Sequence, residues 1–536
     1  MSIDHQQPLL KRIEHLNRIG AALSAQQDIN DLLEIILVGA KELTNADAGS
    51  LYLLNDGILN FELIHTSSLG IHMGGSSDKA ITFPSIPLEQ ADGTPNTSMV
   101  VTRCVIEDRL INIDDAYSNN EFDFSGTKAF DATNGYRSSS LLAVPIKDHK
   151  GQISGVLQLV NAIDPATGKA TNFSPTDESM VTSLASQAAI ALTRKQLIDG
   201  LEELLKSLVQ LVANAIDDKS PHTGGHCRRV PEITMALADA VNNCNDQLYG
   251  ETRFNYRELQ ELEMAAWLHD CGKIITPDHI IDKQSKLETV FDRIDLIDAR
   301  LNILRLEAEK AHLQAQGASE TGVLEKTLEE IEQMRQFIHQ CNTGGEFLSA
   351  DKIERIGEIA NYTGCKGAAS LANPLLNDDE VHNLSISKGT LTEEERQKIN
   401  DHAGISMRML SSLPFPEHLQ NIPEIAGSHH ERMDGKGYPR SVPAAELPLQ
   451  ARIIAIADIF EALTASDRGY RKPNTLSEAL KIMTFMCKEG HLDPELFDLF
   501  VSTEAYLDYA SKQMQPEQRD QVDIASIRQN IQKTED

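Results

Sequence analysis

The chain has little positive charge, few thiols and no long apolar run, and each shortage excludes something. Lys and Arg number 49 against 80 Asp and Glu, a formal net charge of −31. A duplex nucleic-acid binder carries a basic footprint, so no nucleic-acid partner is expected. A small phosphorylated ligand stays open, because a few cations in a pocket override the global field. The seven cysteines are odd in number, scattered and without a CxxC pair. That excludes a disulfide framework or a zinc finger and fits a reducing compartment. No apolar stretch reaches the roughly 18 residues of a membrane span, and the opening MSIDHQQPLLKRIEHL lacks a signal-peptide core. A cytoplasmic protein without a membrane span is expected. What is present, 41% hydrophobic and 24% charged residues over 536 positions, describes a soluble chain of about two to four domains.

Residues from about 10 to 43 read as helical, with LLEIILVGAKEL carrying a helix-spaced apolar face. Strand-like runs follow at 49–55, 58–64 and 98–105, and 139–161 reads as two strands around the turn Asp148-His149-Lys150-Gly151. Helix, antiparallel strands and closing helix predict an α/β sensor-like module over 12–195. From 176 to 217 only Gly200 interrupts the helix formers, and Leu197, Leu201, Leu204, Leu208 and Leu211 recur at 4-3-4-3 spacing. That is a short heptad seam. It reads either as a dimer helix or as one amphipathic helix on its own domain, and 178–212 is taken as a connecting signalling helix.

Beyond 213 the strand signals fade and helical patterns dominate, predicting an all-α domain over 213–515. Within it, 286–390 is unusual. Phe291, Ile294, Ile297, Leu301, Leu304 and Ala308 repeat at helical spacing, and after QGASETG the pattern resumes with Leu324, Leu328, Ile331, Met334 and Ile338. An inserted antiparallel helical hairpin is expected. The polar stretch 516–536 is expected to fray. The fold class is therefore multidomain α+β: a sandwich-like N-terminal domain with an antiparallel sheet, then a helical domain carrying the hairpin.

The chemistry concentrates in the second half. His226, His269, Asp270, His402, His429, His430 and Asp458 are of the types that hold catalytic cations. Singly, each histidine reads as well as a surface or core residue. Jointly they are stronger. Asp458 lies in the apolar helix ARIIAIADIFEAL, where a carboxylate is costly unless paired or bound to metal. His269-Asp270 ends the apolar run EMAAWL, where both side chains can converge. His402 lies in KINDHAG, read as near a helix end. Cys227 and Cys271 adjoin ligands, but neighbours on a helix point about 100° apart. They are taken to face the packing side, leaving an all-N,O set that suits Fe or Mn.

HTGGHCRRV, LHDCGK, DHAG, HHERMDGKGYP and IADIFEALTASDRGYR, in this order, resemble the HD-GYP family of cyclic di-GMP phosphodiesterases, a subgroup of the HD phosphohydrolases. The resemblance spans 213–475 apart from the insertion. It implies two divalent ions, one held by His226, His269, Asp270 and Asp458, with Asp270 bridging to a second held by His402, His429 and His430. It makes Lys273 a phosphate contact beside Asp270 and assigns Arg468 and Arg471 to substrate phosphate. Members with a third ion carry a glutamate where His222 stands, so His222 is a further candidate ligand and two ions are expected. Gly469 replaces the proline of the common RPY. The implied reaction is hydrolysis of cyclic di-GMP, a bacterial second messenger, to pGpG and onward to GMP. The alternatives are a non-catalytic cyclic di-GMP receptor signalling through the GYP surface or the hairpin to a protein partner, or an HD phosphohydrolase for another cyclic nucleotide or dinucleotide.

Over 12–195 the phrases LTNADAGSLYLL, INIDDAY and LLAVPIKDHKGQISGVLQLVN resemble a GAF domain. Asn161 and Phe173-Ser-Pro-Thr-Asp177-Glu178 partly match the cyclic-nucleotide subset, with Ala162 where that subset has lysine. The resemblance implies a small regulatory ligand, a cyclic nucleotide among the options, and a homodimer.

Overall fold

The computed structural model describes residues 6–26, 28–148, 150–219, 224–244, 249–250, 252–314, 321–345, 347–362, 374–466 and 473–532. It divides into two compact units, Met1–Leu204 and Leu205–Asp536.

The first unit opens with two helices rather than one, α1 (Gln6–Ala25) and α2 (Ile29–Thr44). The break is chemical: Asp28 caps α2 by accepting from the amides of Asn30 and Asp31. Strands β1 (Ala46–Asn55) and β2 (Ile58–Thr66) turn through Asp56 and Gly57, both at positive φ, the backbone that tight hairpins need. Then come β3 (Ile71–Gly74), β4 (Ile86–Pro87), α3 (Val100–Ile106), β5 (Ile111–Ile113), α4 (Ser125–Asn134), β6 (Leu141–Lys147), β7 (Ile153–Ile163) and β8 (Ala170–Thr171). The strands form an antiparallel sheet in the order β3-β2-β1-β7-β6-β5, with β4 beside β2 and β8 beside β7.

Alternation sorts the sheet into two faces. Leu51, Leu63, Leu157 and Leu159 pack under α1, α2 and the start of the next helix. Tyr52, Leu59, Val156 and Leu141 pack on the other side with α3. The strand expected at 98–105 is a correction: it is α3, whose Val100, Val101 and Cys104 bury one helical face. A β-branched run has taken the conformation its packing demanded rather than its local preference. Asn161 and Asp177 act as joints. Asn161 Oδ1 accepts from the Ser139 amide at 2.7 Å, and Asp177 accepts from Ser174 and pairs with Arg12.

Helix α5 (Pro175–Lys219) is 45 residues long and contains the unit boundary. Leu197, Leu201, Leu204, Leu208 and Leu211 are each 50–65% exposed, so the seam has no partner among the described residues.

The second unit holds α6 (His226–Asn243), α7 (Tyr256–Leu268), a 3-10 turn at Cys271–Ile275 and α8 (Asp278–Ile281). After these come α9 (Ile294–Gln314), α10 (Thr321–Asn342), α11 (Ala350–Ala360) and α12 (Asp378–Leu384). The chain then returns to the main core through α13 (Glu393–Leu410), α14 (Ile422–Gly427), α15 (Leu449–Thr464), α16 (Leu476–Lys488), α17 (Pro494–Ser502), α18 (Leu507–Gln513) and α19 (Ile524–Gln532). Helices α9 and α10 pack antiparallel: Arg335 and His339 both reach Asp298, and the Lys286 amide donates to Asn342.

This region has its own core, including Ile297, Leu301, Ile331, Ile338 and Leu384. Phe291, assigned to that apolar face from its spacing, is instead exposed. At the base of the insertion, buried Lys286 donates to the carbonyls of Leu384 (3.1 Å) and Ile386 (2.7 Å), and Lys283 pairs with Glu395 at 2.8 Å. The fraying expected of 516–536 is corrected for its described part. Asp520 accepts from the Ser477 amide at 2.8 Å, and Ile527 and Ile531 of α19 are buried in the main core. The apolar stripe of a short helix outweighed the polar composition around it. Among the described residues no helix is long and apolar enough to cross a membrane.

Candidate metal centre

Five elements deliver the ligand candidates. His226 is the first residue of α6, after Gly225 at φ 88°. His269 caps the end of α7 and Asp270 follows it. His402 lies mid-way along α13 rather than near its end. His429 and His430 follow the end of α14, and Asp458 projects from α15. Gly272 makes the approach feasible. A Cβ there would sit 2.1 Å from the His402 carbonyl oxygen, so only glycine lets the 3-10 turn lie against α13. The Gly272 amide donates to Ser406 Oγ, which donates to the His269 carbonyl.

The structure brings all seven candidates together. Their ligating atoms form three overlapping groups, each within 4.8 Å: His226, His269 and Asp458; His269, Asp270 and His429; His402, His429 and His430. Asp270 stands between the outer two. Its Oδ2 lies 3.3 Å from His226 Nε2 and 3.4 Å from His269 Nε2, while Oδ1 lies 3.2 Å from His402 Nε2.

The imidazoles are oriented from behind. Nδ1 of His269, His402 and His429 contacts the carbonyls of Ala266, Ile399 and Ala426 at 2.8, 2.5 and 2.6 Å. His226 Nδ1 lies 2.5 Å from Glu461 Oε2. A carbonyl can only accept, so it fixes the proton on Nδ1 and turns an Nε2 lone pair inward. Lone pairs then face lone pairs: His402 Nε2 and His429 Nε2 are 3.4 Å apart. Asp270 Oδ1 is buried with no hydrogen-bond partner among the described residues. Converging acceptors of this kind favour a cation between them, and the all-N,O set fits divalent metal.

The electrostatics divide the site: burial acts downward on His226, but Glu461, Asp270 and Asp458 hold its imidazole well above the ordinary histidine range. Burial, followed by the neighbouring histidines, holds His429 well below the ordinary histidine range. Burial likewise pushes His430 down to about 3, outweighing the opposing charge of Asp458. Both imidazoles are neutral and able to ligate. For Asp270 burial acts upward, but the Lys273 ammonium 2.6 Å away and the surrounding histidines hold its carboxyl well below the carboxylate range. The two adjoining thiols stay protonated: burial raises Cys271 to about 11 and Cys227 well above its usual value. Cys227 belongs to the hydrophobic core, as its position on the packing side implied.

Sequence reasoning missed the supports. Glu461, fully buried on α15 three residues after Asp458, joins His226 to Arg229, whose guanidinium lies 2.6 Å away. Its i, i+3 spacing from Asp458 was the available signal. Buried Glu431 accepts from the amides of Arg440 (2.7 Å) and Val442 (3.2 Å), holding the turn that stacks Tyr438 beside His430. The last turn of α5 touches both ends of the site. Asp217 Oδ1 accepts from the Cys227 amide at 3.0 Å, next to His226. Lys219 Nζ donates to the carbonyls of Lys273 (3.2 Å) and Ile274 (2.8 Å). Arg468, Arg471 and His222 lie outside the described residues.

A GAF-domain model matches residues 28–192, and HD-domain models match 223–332 and 375–496. Over 113 residues the chain is 42% identical to the 3'3'-cGAMP-specific phosphodiesterase 1 of Vibrio cholerae serotype O1, 21% of this chain and 25% of that one. Over 121 residues it is 38% identical to the cyclic di-GMP phosphodiesterase of Thermotoga maritima, 23% of this chain and 32% of that one. A longer match, 25% identical over 301 residues, joins it to 3'3'-cGAMP-specific phosphodiesterase 2 of Vibrio cholerae serotype O1, 56% of this chain and 35% of the relative. The chain thus spans about a quarter to a third of the length of these curated relatives. It carries an N-terminal GAF domain with an antiparallel sheet and a mostly helical HD domain.

Proposed function

We propose that the chain is a cytoplasmic, metal-dependent phosphodiesterase that hydrolyses cyclic di-GMP to pGpG, with GMP as the product of a second cleavage, under control of the GAF domain. The observation that carries this reading is the inward convergence of six further N and O ligand candidates around a buried Asp270 whose Oδ1 has no protein hydrogen-bond partner among the described residues. His226, His269, Asp270 and Asp458 would hold one divalent ion, and Asp270, His402, His429 and His430 a second. Iron or manganese suits the donors. When bound, such a pair supplies Lewis acidity for the phosphodiester and a water activated at neutral pH. The residues do the rest. The carbonyls of Ala266, Ile399 and Ala426, with Glu461, hold the imidazoles in their ligating orientation. Lys273 places positive charge beside Asp270, where a substrate phosphate gathers negative charge in the transition state. Water replaces the bridging ribose oxygen on phosphorus, and the product is linear.

Lys273→Ala is expected to lower kcat by roughly 10²–10³-fold while metal content stays near wild type, since no ligand is removed. Steady-state kinetics beside metal analysis checks this; wild-type kcat would remove Lys273 from the reaction. The reading extends to Arg468 and Arg471 as further phosphate contacts. A second substrate, 3'3'-cGAMP, is favoured by the specificity for which two of the relatives above are named. A panel of both cyclic dinucleotides on the purified, metal-loaded chain decides between them.

Regulation would run through α5. Its exposed leucines keep heptad spacing, so a second copy of the same helix fits the seam. Its last turn holds both the amide beside His226 and the carbonyls of Lys273 and Ile274. Inserting four residues near Leu201 turns the following helix by about 40°. The expected result is a changed basal rate or a lost effector response with metal content intact. Unchanged activity and response would reduce α5 to a tether.

A further inference from the structure

Helix α9, in the insertion of the second unit, is apolar on two sides. Ile297, Leu301 and Leu304 belong to the core of the insertion, and Ala308 is buried in line with them. A second series, Leu296, Ile303, Leu306 and Leu313, is 46–78% exposed. At about 100° per residue the two series lie on opposite sides of the helix. Its neighbour α10 has no such second face. Apart from Val323 near its start, no large apolar residue of α10 is exposed among the described residues, and Glu325, Glu329, Glu332 and Gln336 are exposed instead. The uncovered apolar face of the hairpin thus belongs to α9, and a contiguous face of this kind marks an interaction surface.

Ala299 and Lys310, also exposed, complete the outer series. Positions 296, 299, 303, 306, 310 and 313 follow 3-4-3-4-3 spacing, the two-per-heptad seam of a helix that meets one other helix. The seam is its own complement when two copies run antiparallel. Leu296 then meets Leu313, Ile303 meets Leu306 and Ala299 meets Lys310, each pair occurring twice about a two-fold axis. The small Ala299 leaves room for the Lys310 stem. The Lys310 ammonium, 3.6 Å from Glu307 of its own helix, would reach the exposed Asp295 of the other copy, one turn from Ala299. A parallel pair in register would set Lys310 against Lys310, a like-charge contact that opposes association. We infer that the insertion is a homotypic docking arm, in which α9 pairs antiparallel with α9 of a second copy through this seam. The contact is separate from the α5 seam and does not rest on the phosphodiesterase reading.

Cysteine placement reads the register directly. The double variant Ala299→Cys/Lys310→Cys of the 536-residue chain is oxidised with diamide and run on a non-reducing gel. It should form a linked dimer well above the wild-type background, because antiparallel pairing brings the two positions within disulfide reach. Either single cysteine variant should link no more than wild type, whereas a parallel pair would link both. Affinity is read by sedimentation velocity in the Leu201→Glu background, which charges the α5 seam so that the association observed is that of α9. Four large apolar side chains per copy make a small contact, so a dissociation constant on the order of 1–100 μM is expected. Ile303→Glu and Leu306→Glu alter exposed positions, so the melting transition should stay unchanged while association weakens at least about tenfold. Either one folded suffices, and the cysteine pair leaves the large seam residues intact. No linked dimer above wild type in the double variant, equal linking of the single variants, or association indifferent to the folded glutamate variants would each overturn the inference.

Discussion

Asp270→Ala is expected to reduce hydrolysis at least about 10³-fold, more than 4 kcal/mol of transition-state stabilisation, and to lower bound metal at the same time. The side chain is almost fully buried, and its two oxygens face different histidines. On the proposed reading, losing it removes a ligand from both halves of the centre. Stability provides a readout that does not need turnover. A ligand present at 100 times its Kd stabilises the native state by about 2.7 kcal/mol. The wild-type melting temperature should thus rise with added manganese, and that of the variant should not. A folded variant that keeps full metal content, or wild-type turnover, would show that Asp270 does not bridge.

Glu461→Ala is the second large effect. Its carboxylate lies between His226 Nδ1 and the Arg229 guanidinium at zero exposure. Breaking a buried charged network by removing one member costs about 3–5 kcal/mol, so the urea midpoint should fall markedly. His226 also loses the acceptor that orients its ring. Loss of such a support typically weakens metal binding about 10–100-fold. Glu461→Gln, which keeps the shape and one acceptor oxygen, should recover part of both. Metal affinity equal to wild type in a folded Glu461→Ala protein would mean that the pair supports the fold and not the centre.

The candidate ligand residues were legible because their chemistry is conspicuous in context: a carboxylate inside an apolar helix at Asp458, a His-Asp pair ending one at Asp270, two adjacent histidines before a glycine-rich turn. Their partners were not. Glu461 is an ordinary acid in ordinary helical sequence, and only the packing of α15 against α6 turns it toward His226. Backbone carbonyls that fix the imidazoles have no sequence signature at all. In the first unit the strands of 46–66 and 141–163 follow their alternation, but Val100–Ile106 does not follow its β-branched composition. Its burial on one helical face decided it. Polar composition also misled at the C-terminus, where Ile527 and Ile531 suffice to dock a short helix. The heptad seam was legible as a pattern, and the exposure of its leucines adds that a single copy leaves it uncovered.

The most direct test of the central claim is product analysis with the purified 536-residue chain, stripped of metal and reloaded with iron or manganese under reducing conditions. The account predicts that cyclic di-GMP is converted to pGpG only after reloading, with metal bound to wild type and reduced in Asp270→Ala. A reloaded protein that carries its metal, binds cyclic di-GMP and leaves both it and 3'3'-cGAMP intact would contradict the account and make the chain a receptor.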